Sequence, residues 1–242
     1  MKNELYCFGI KDVIGIDEVG IGCLAGPVVA CAVYLDKSII NEIENFNYDG
    51  FGIQDSKTIY FEDIRYYIAS WLKEKVKYEI SVIEVDEINK DNNIHLSAAK
   101  ARADAYDKLV DKLGYFPKKI LIDGNDIYRR SLLKYSKKAK YSKIKAVVKG
   151  DSKYYSIAAA SIIAKAFRDT YMCALSATIA NYNFEKHKGY CTPEHIELIR
   201  EYGLCEQHRY FARKFVNNFD KKEKNLVKYS YGKRNNISYK KI

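Results

Sequence analysis

The sequence predicts a mixed α/β fold, a β-sheet with helices packed against it. Short apolar runs of strand length alternate with longer segments whose apolar residues fall at helical spacing. Of the 242 residues, 48% are hydrophobic, enough for the buried core of one large domain or two small ones. That apolar fraction, with only three prolines, excludes a globally disordered, collagen-like or Pro-rich chain.

Val13 to Val19 reads as the first strand, followed by a bend at Gly20-Ile21-Gly22. Val28 to Leu35 is a second apolar run of strand length, and residues 36–56 read as a polar loop with at most one helical turn. A helix is expected over Thr58 to Lys75, from the spacing of Ile59, Ile64, Ile68, Trp71 and Leu72. Lys77 to Val85 alternates like a strand through Tyr78, Ile80 and Val82. Ile94 to Leu113 is a helix with Leu96, Ala99, Ala103, Tyr106, Leu109, Val110 and Leu113 on one side, closed by Gly114. Lys118 to Asp123 and Ala146 to Val148 are short strands, each followed by a glycine turn. Ile157 to Ala180 is an Ala-rich helix, apolar around much of its circumference and therefore buried. Thr192 as N-cap, Pro193 at the first position and Gly203 past the end define a helix over 193–202. No repeat and no domain linker appears. Residues 1–216 read as one functional unit and 217–242 as a basic, mobile tail.

The longest apolar stretch, Cys23 to Leu35, is too short to span a bilayer, so no membrane role is expected. The opening MKNELYCFGIKD lacks a basic-then-apolar signal pattern, which points to a cytoplasmic protein. The six cysteines contain no C-x-x-C pair and read as reduced thiols.

The formal charge of +10 is unevenly placed. Residues 129–153 hold ten Lys+Arg and one Asp, and residues 213–242 hold ten Lys+Arg and two Asp+Glu. The rest of the chain is net acidic. Two basic stretches interleaved with tyrosine suit a polyanion partner, although a solvated surface also looks like this.

Four carboxylates stand out against that background. Asp17 and Glu18 close the apolar run Val13 to Ile16, Asp123 ends another strand, and Asp151 lies just past a third. Neighbours on a strand point to opposite faces, so Asp17 and Glu18 share a site only at a strand end or an irregularity, which the following glycines would supply. Acids gathered at neighbouring strand ends repel unless a divalent cation lies between them, and all-oxygen ligation selects Mg²⁺ or Mn²⁺. Taken singly, each is also an ordinary strand-end acid.

The stretch GIDEVGIGCLAGPVVACAVYL (15–35) closely resembles the signature of type 2 ribonuclease H. Further matches follow in family order: DSK (55–57), NIH (93–95), IDGN (122–125), KGDSKYYSIAAASIIAKAFRD (149–169), HKGYCTPEH (187–195) and YG…HR (202–209). The resemblance implies a ribonuclease H-like fold, with a five-stranded mixed sheet flanked by helices and a C-terminal helical extension. It implies a monomeric endonuclease that cuts the RNA strand of RNA–DNA hybrids and 5′ of ribonucleotides in duplex DNA, leaving 5′-phosphate and 3′-hydroxyl ends. The family's metal-binding acids fall on Asp17, Glu18, Asp123 and Asp151. With substrate bound, two divalent cations about 4 Å apart would straddle the scissile phosphate, with Asp17 bridging them.

Substrate contacts are implied at Gly20, Ile21, Gly22 and Tyr190, which in the family read the RNA-to-DNA junction through the 2′-hydroxyl. Lys57, Lys149 and Lys153 are candidate phosphate contacts, and Ser152 precedes a helix whose N-terminal amides could assist. Ile21 departs from the family's usual arginine. Type 3 ribonucleases H also lack that arginine, so a preference for longer hybrids is an alternative, as is a non-catalytic hybrid-binding homologue. Asp151, where type 3 enzymes have glutamate, and the short segment before the first strand favour type 2. A second departure is Tyr210 before Phe211, where the family commonly has serine. A zinc site at His187, Cys191, His195 and His208 is disfavoured by the helix start at Pro193. Cys23 reads as a small apolar filler. The basic tail is expected to add sequence-blind affinity through counterion release.

Overall fold

A computed structural model of the chain describes residues 12–217. Cys7 and all but the first residue of the expected basic tail lie outside the described residues. Five strands form one sheet: β1 (Asp12–Val19), β2 (Val28–Asp36), β3 (Lys77–Ile83), β4 (Lys119–Asp123) and β5 (Lys143–Val147), in the order β3-β2-β1-β4-β5. The first three form an antiparallel meander, and β4 and β5 run parallel to β1. The mixed α/β expectation is therefore met, with β1 at the centre.

Both faces of the sheet are covered. Helices α2 (Glu62–Lys75) and α6 (Tyr155–Thr178) pack against the face carrying Val13, Val29, Cys31, Val33 and Leu121. On the other face, α3 (Val85–Asp91), α4 (Ile94–Leu113) and α5 (Asp126–Tyr135) contribute Ile88, Tyr106, Leu109 and Leu132 against Ile14, Ile16, Ala30 and Ile122. Gly15 sets the first of these layers. A Cβ there would lie 2.2 Å from the Ser156 carbonyl carbon, so only glycine lets α6 lie directly on β1. A third cluster joins Leu24 and Ala25 to Met172, Phe184 and Ile196, and so ties the loop after β1 to α7 (Phe184–His187) and α8 (Pro193–Tyr202). With the helical residues 212–217, these make up the expected C-terminal extension.

Several boundaries differ from expectation for physical reasons. Helix α2 begins at Glu62, not Thr58. Asp55 instead caps a 3₁₀ turn over Ser56–Thr58, and the Ile59 carbonyl accepts the Arg65 guanidinium at 2.7 Å. Strand β5 begins three residues earlier than its apolar stretch, because it is a sheet edge and its lysines face solvent. The polar loop holds the six-residue α1 (Ile40–Asn45). Helices α3, α5 and α7 fall outside the elements expected from sequence, although Asn125 accepting the Ile127 amide is an N-cap signal for α5 that the sequence carries. Helices α4 and α8 have the expected ends, with Gly114 at φ 76° and the Thr192 hydroxyl accepting the His195 amide.

Candidate active site

Strand register brings the acids together. The parallel ladder between β1 and β4 ends at Ile16 and Ile122, one residue before Asp17 and Asp123. The sheet opens there, at the carboxyl ends of parallel strands, where α/β sheets form their crevice. Asp123 pairs with Val147, and the turn that follows places the Gly150 amide 2.6 Å from Asp123 Oδ1. A Cβ on Gly150 would press on Ile157, so this glycine lets Asp151 close onto the same opening.

One expectation is corrected. The following glycines supply no irregularity at Asp17 and Glu18, because β1 stays regularly paired with β2 through Val19; only on the β4 side do they lie at the end of the ladder. They point to opposite faces of a regular strand. Asp17 faces α6, where it accepts the Glu18 amide at 2.8 Å and the Ser161 hydroxyl. Ser161 in turn meets Ser56 at 3.0 Å, which ties the DSK segment to the carboxylate. Glu18 faces α4, where its Oε2 lies 3.0 Å from Arg102 Nη1. That contact is ionic and lacks hydrogen-bond alignment, so Glu18 Oε2 is a buried oxygen with no hydrogen bond. Arg102 stacks on the Tyr128 ring at 4.3 Å. Neither Arg102 nor Ser161 was identified from sequence. Each is a helix residue whose role depends on which strand its helix crosses.

The electrostatics are those of crowded acids. Burial, then the charges of Glu18 and Asp123, hold the Asp17 carboxyl well above its ordinary range. Burial and Glu18 raise Asp123, against the Gly150 amide. Burial, Asp55 and Asp123 raise Asp151, against Lys57. Lys57 Nζ lies 3.5 Å from Asp151 Oδ2. Burial opposes its charge, yet Asp151, Asp55 and Asp17 hold its pKa above the ordinary value. Among the described residues, no three His, Cys, Asp or Glu side chains are already gathered closely enough to hold an ion. The four acids share one electrostatic neighbourhood without forming a finished ligand cage.

Two buried arginines fix the glycine loop. Arg209 donates to the carbonyls of Gly20 at 2.6 Å, Ile21 at 3.2 Å, Cys23 at 2.9 Å, and Gly26 and Pro27. Arg168 donates to Ala25, Pro27 and Lys188. Gly20, at φ 96°, has no room for a Cβ beside Arg168, whereas Gly22 is exposed and faces open space. Ile21 is half-buried against the α4 side of the sheet. Of the three loop residues expected to touch substrate, Gly22 is the exposed one.

Tyr190 bridges to Cys23 through the backbone, and its ring lies 5.2 Å from Lys165 Nζ and 5.7 Å from the Arg168 guanidinium. Burial, then the Cys23 thiol, pushes its hydroxyl up to about 12. Lys149 is exposed in left-handed backbone at φ 54°. Lys153 Nζ donates to the Val148 carbonyl at 2.6 Å. Ser152 lies inside a 3₁₀ turn, and its amide is spent on Asp151 Oδ1 at 3.0 Å, so it offers no free helix-end donor.

The zinc alternative fails on hydrogen bonding. His187, His195 and His208 do converge, with the first two rings stacked at 4.1 Å, but their nitrogens are engaged. His187 Nε2 donates to the Tyr182 carbonyl and Nδ1 accepts from Gly189. His195 Nδ1 donates to the Tyr190 carbonyl, and its Nε2 accepts from His208 Nε2 at 3.1 Å. His208 Nδ1 accepts the Cys205 amide. This chain needs neutral rings, and burial lowers His195 to about 3 and His208 to about 4. Depressed folded values mean the stabilisation is complete above the ordinary 6.5 and erodes as pH falls toward those values. Ring NMR of His195 and His208 is expected to show neutral imidazoles at pH 5; titration near 6.5 would refute the network.

Comparison with known proteins agrees with this architecture. The family model for ribonuclease HII matches residues 14–218. A ribonuclease HII of Caldicellulosiruptor saccharolyticus is 38% identical over 212 residues, covering 86% of this chain and 90% of the relative. One from Bacteroides thetaiotaomicron is 38% identical over 202 residues, covering 82% and 89%. Among solved structures, the ribonuclease H2 of Pyrococcus horikoshii superposes with a TM-score of 0.66 at 24% identity, covering 87% of this chain and 99% of that one. The Bst ribonuclease HIII in complex with Mn²⁺ gives 0.63 at 26% identity, covering 80% and 63%.

Proposed function

The chain belongs to the ribonuclease HII family and is thus a ribonuclease H-type endonuclease; on that premise we propose its substrate, metal and site. It cuts the RNA strand of RNA–DNA hybrids and the 5′ side of ribonucleotides embedded in duplex DNA, leaving 5′-phosphate and 3′-hydroxyl ends. It acts as a cytoplasmic monomer whose catalytic unit spans residues 1–216. The observation that carries this reading is the opening between β1 and β4, where Asp17 and Asp123 flank the last paired residues.

The residues present fit a divalent cation. Every candidate donor is a carboxylate oxygen, three of the acids are raised by burial and neighbouring carboxylates, and Glu18 Oε2 is buried with the Arg102 ion pair but no hydrogen bond. Asp17, Glu18, Asp123 and Asp151 would hold Mg²⁺ or Mn²⁺, which supplies charge for the phosphate and an activated water. The chain's own groups do the rest. Lys57 presents an ammonium beside Asp151 for a phosphate oxygen, with Lys149 and Lys153 beyond it. The exposed Gly22 lets backbone approach a ribose, and Tyr190, its back held by Lys165 and Arg168, offers a ring for the adjoining sugar.

The test is cleavage, with Mg²⁺ or Mn²⁺, of DNA duplexes holding one ribonucleotide or a run of four. Both are expected to be cut. Cutting only the run would assign type 3-like specificity, and binding without cutting would make the protein a non-catalytic homologue.

A further inference from the structure

The edge of the sheet beyond the acids carries an unusual charge arrangement. On β5, Ile144 and Ala146 pack into the layer covered by α5. Alternation therefore puts Lys143 and Lys145 on the opposite face, together with Val147. On β4 the same face carries Lys119, Leu121 and Asp123, and Lys119 pairs in register with Lys143. Helix α6 packs mainly over β1 and β2, and both β5 lysines are exposed. Three ammonium groups thus share one flank of the face that also bears Asp17 and Asp123. Lys119 lies about 13 Å along its strand from Asp123, at roughly 3.3 Å per residue.

Edge protection explains lysines on β5, since charge there blocks pairing with another strand. It does not explain Lys119, which lies on an inner strand. Burial, then Lys145 and Lys143, lower the Lys119 pKa, so the cluster repels itself and favours a polyanion. Alternate residues of a strand stand about 6.6 Å apart, comparable to the spacing of successive phosphates along a nucleic-acid strand.

We propose that Lys119, Lys143 and Lys145 form a track for the phosphate backbone of the substrate duplex, continuing from Lys149 and Lys153 away from the acids. The inference rests on the substrate class proposed above and extends its footprint to the sheet edge. The experiment measures the affinity of the full chain for an RNA–DNA hybrid by fluorescence anisotropy across a salt series without divalent metal. Compared with wild type are the double variant Lys143→Gln/Lys145→Gln, Lys119→Gln, and Lys108→Gln as a charge-matched control on α4.

Each lost phosphate contact lowers the slope of log affinity against log salt by about 0.9. The double variant is expected to flatten it by about 1.8, and Lys119→Gln by about 0.9. Between about 50 and 200 mM salt, the double variant would then lose about twelvefold less affinity than wild type. A wild-type slope in the double variant and in Lys119→Gln overturns the track, and aggregation of the former would leave edge protection as its role. Equal flattening by Lys108→Gln overturns it too, as an effect of net charge. Binding decides this inference alone, whereas failure of the wild type to cleave the hybrid would overturn the functional reading instead.

Discussion

Asp17→Asn is expected to reduce hybrid cleavage on the order of a thousandfold or more while leaving hybrid binding in place. The substitution keeps the shape of the side chain, and its carboxamide oxygen can still accept the Glu18 amide. What it removes is the charge at the opening between β1 and β4. The apo protein should not suffer. Because the folded-state pKa of Asp17 is raised, its ionised form opposes folding at neutral pH, and that penalty fades as pH falls through the folded value. The neutral variant should therefore melt at the same or a higher temperature than wild type without metal. Added Mn²⁺ should raise its melting temperature less than it raises that of the wild type. Cleavage at near wild-type rate would remove Asp17 from the site.

Arg209→Ala should have the largest effect on the fold itself, a loss of about 4 kcal/mol. The side chain is 1% exposed and donates six hydrogen bonds to backbone carbonyls between Gly20 and Pro27. Among the described residues no carboxylate is paired with it, so carbonyl dipoles alone offset its buried charge, and burial pushes its pKa down to about 10. Truncation takes the donor from the Ile21, Cys23 and Gly26 carbonyls in a dry environment, and leaves Gly20 and Pro27 only the Cys23 amide and Arg168, respectively. Arg209→Lys retains the charge but not the fork that reaches several carbonyls at once, and should recover only part of the loss. Urea unfolding of the three proteins measures this directly. If Arg209→Ala unfolded within about 0.5 kcal/mol of wild type, the loop would have to be held by other contacts.

Much of this was legible in the chain, for identifiable reasons. Helices α4 and α8 carry both an apolar period and an end signal, in Asn93 with Gly114 and in Thr192 with Gly203, so local chemistry specified their bounds. The four acids stood out because carboxylates are unusual at the ends of apolar runs. What could not be read was set by layers rather than by neighbours in sequence. Only strand register and the crossing of α4 reveal that Glu18 turns away from Asp17 toward Arg102. Likewise, the HKGY and HR segments were recognisable as motifs, yet nothing local says that Arg209 grips the loop beside Gly20 or that His195 holds the Tyr190 carbonyl.

The Arg209 anchor also orders events in time. It joins positions 189 residues apart, a contact that closes a very long loop and forms late in folding. During synthesis the strands bearing Asp17, Glu18 and Asp123, and the turn bearing Asp151, leave the ribosome before the residue that shapes the neighbouring loop. A chain ending short of Arg209 carries all four acids and still lacks the anchor of the loop beside them. The loop beside the acids can therefore reach its anchored form only after Arg209 has been made.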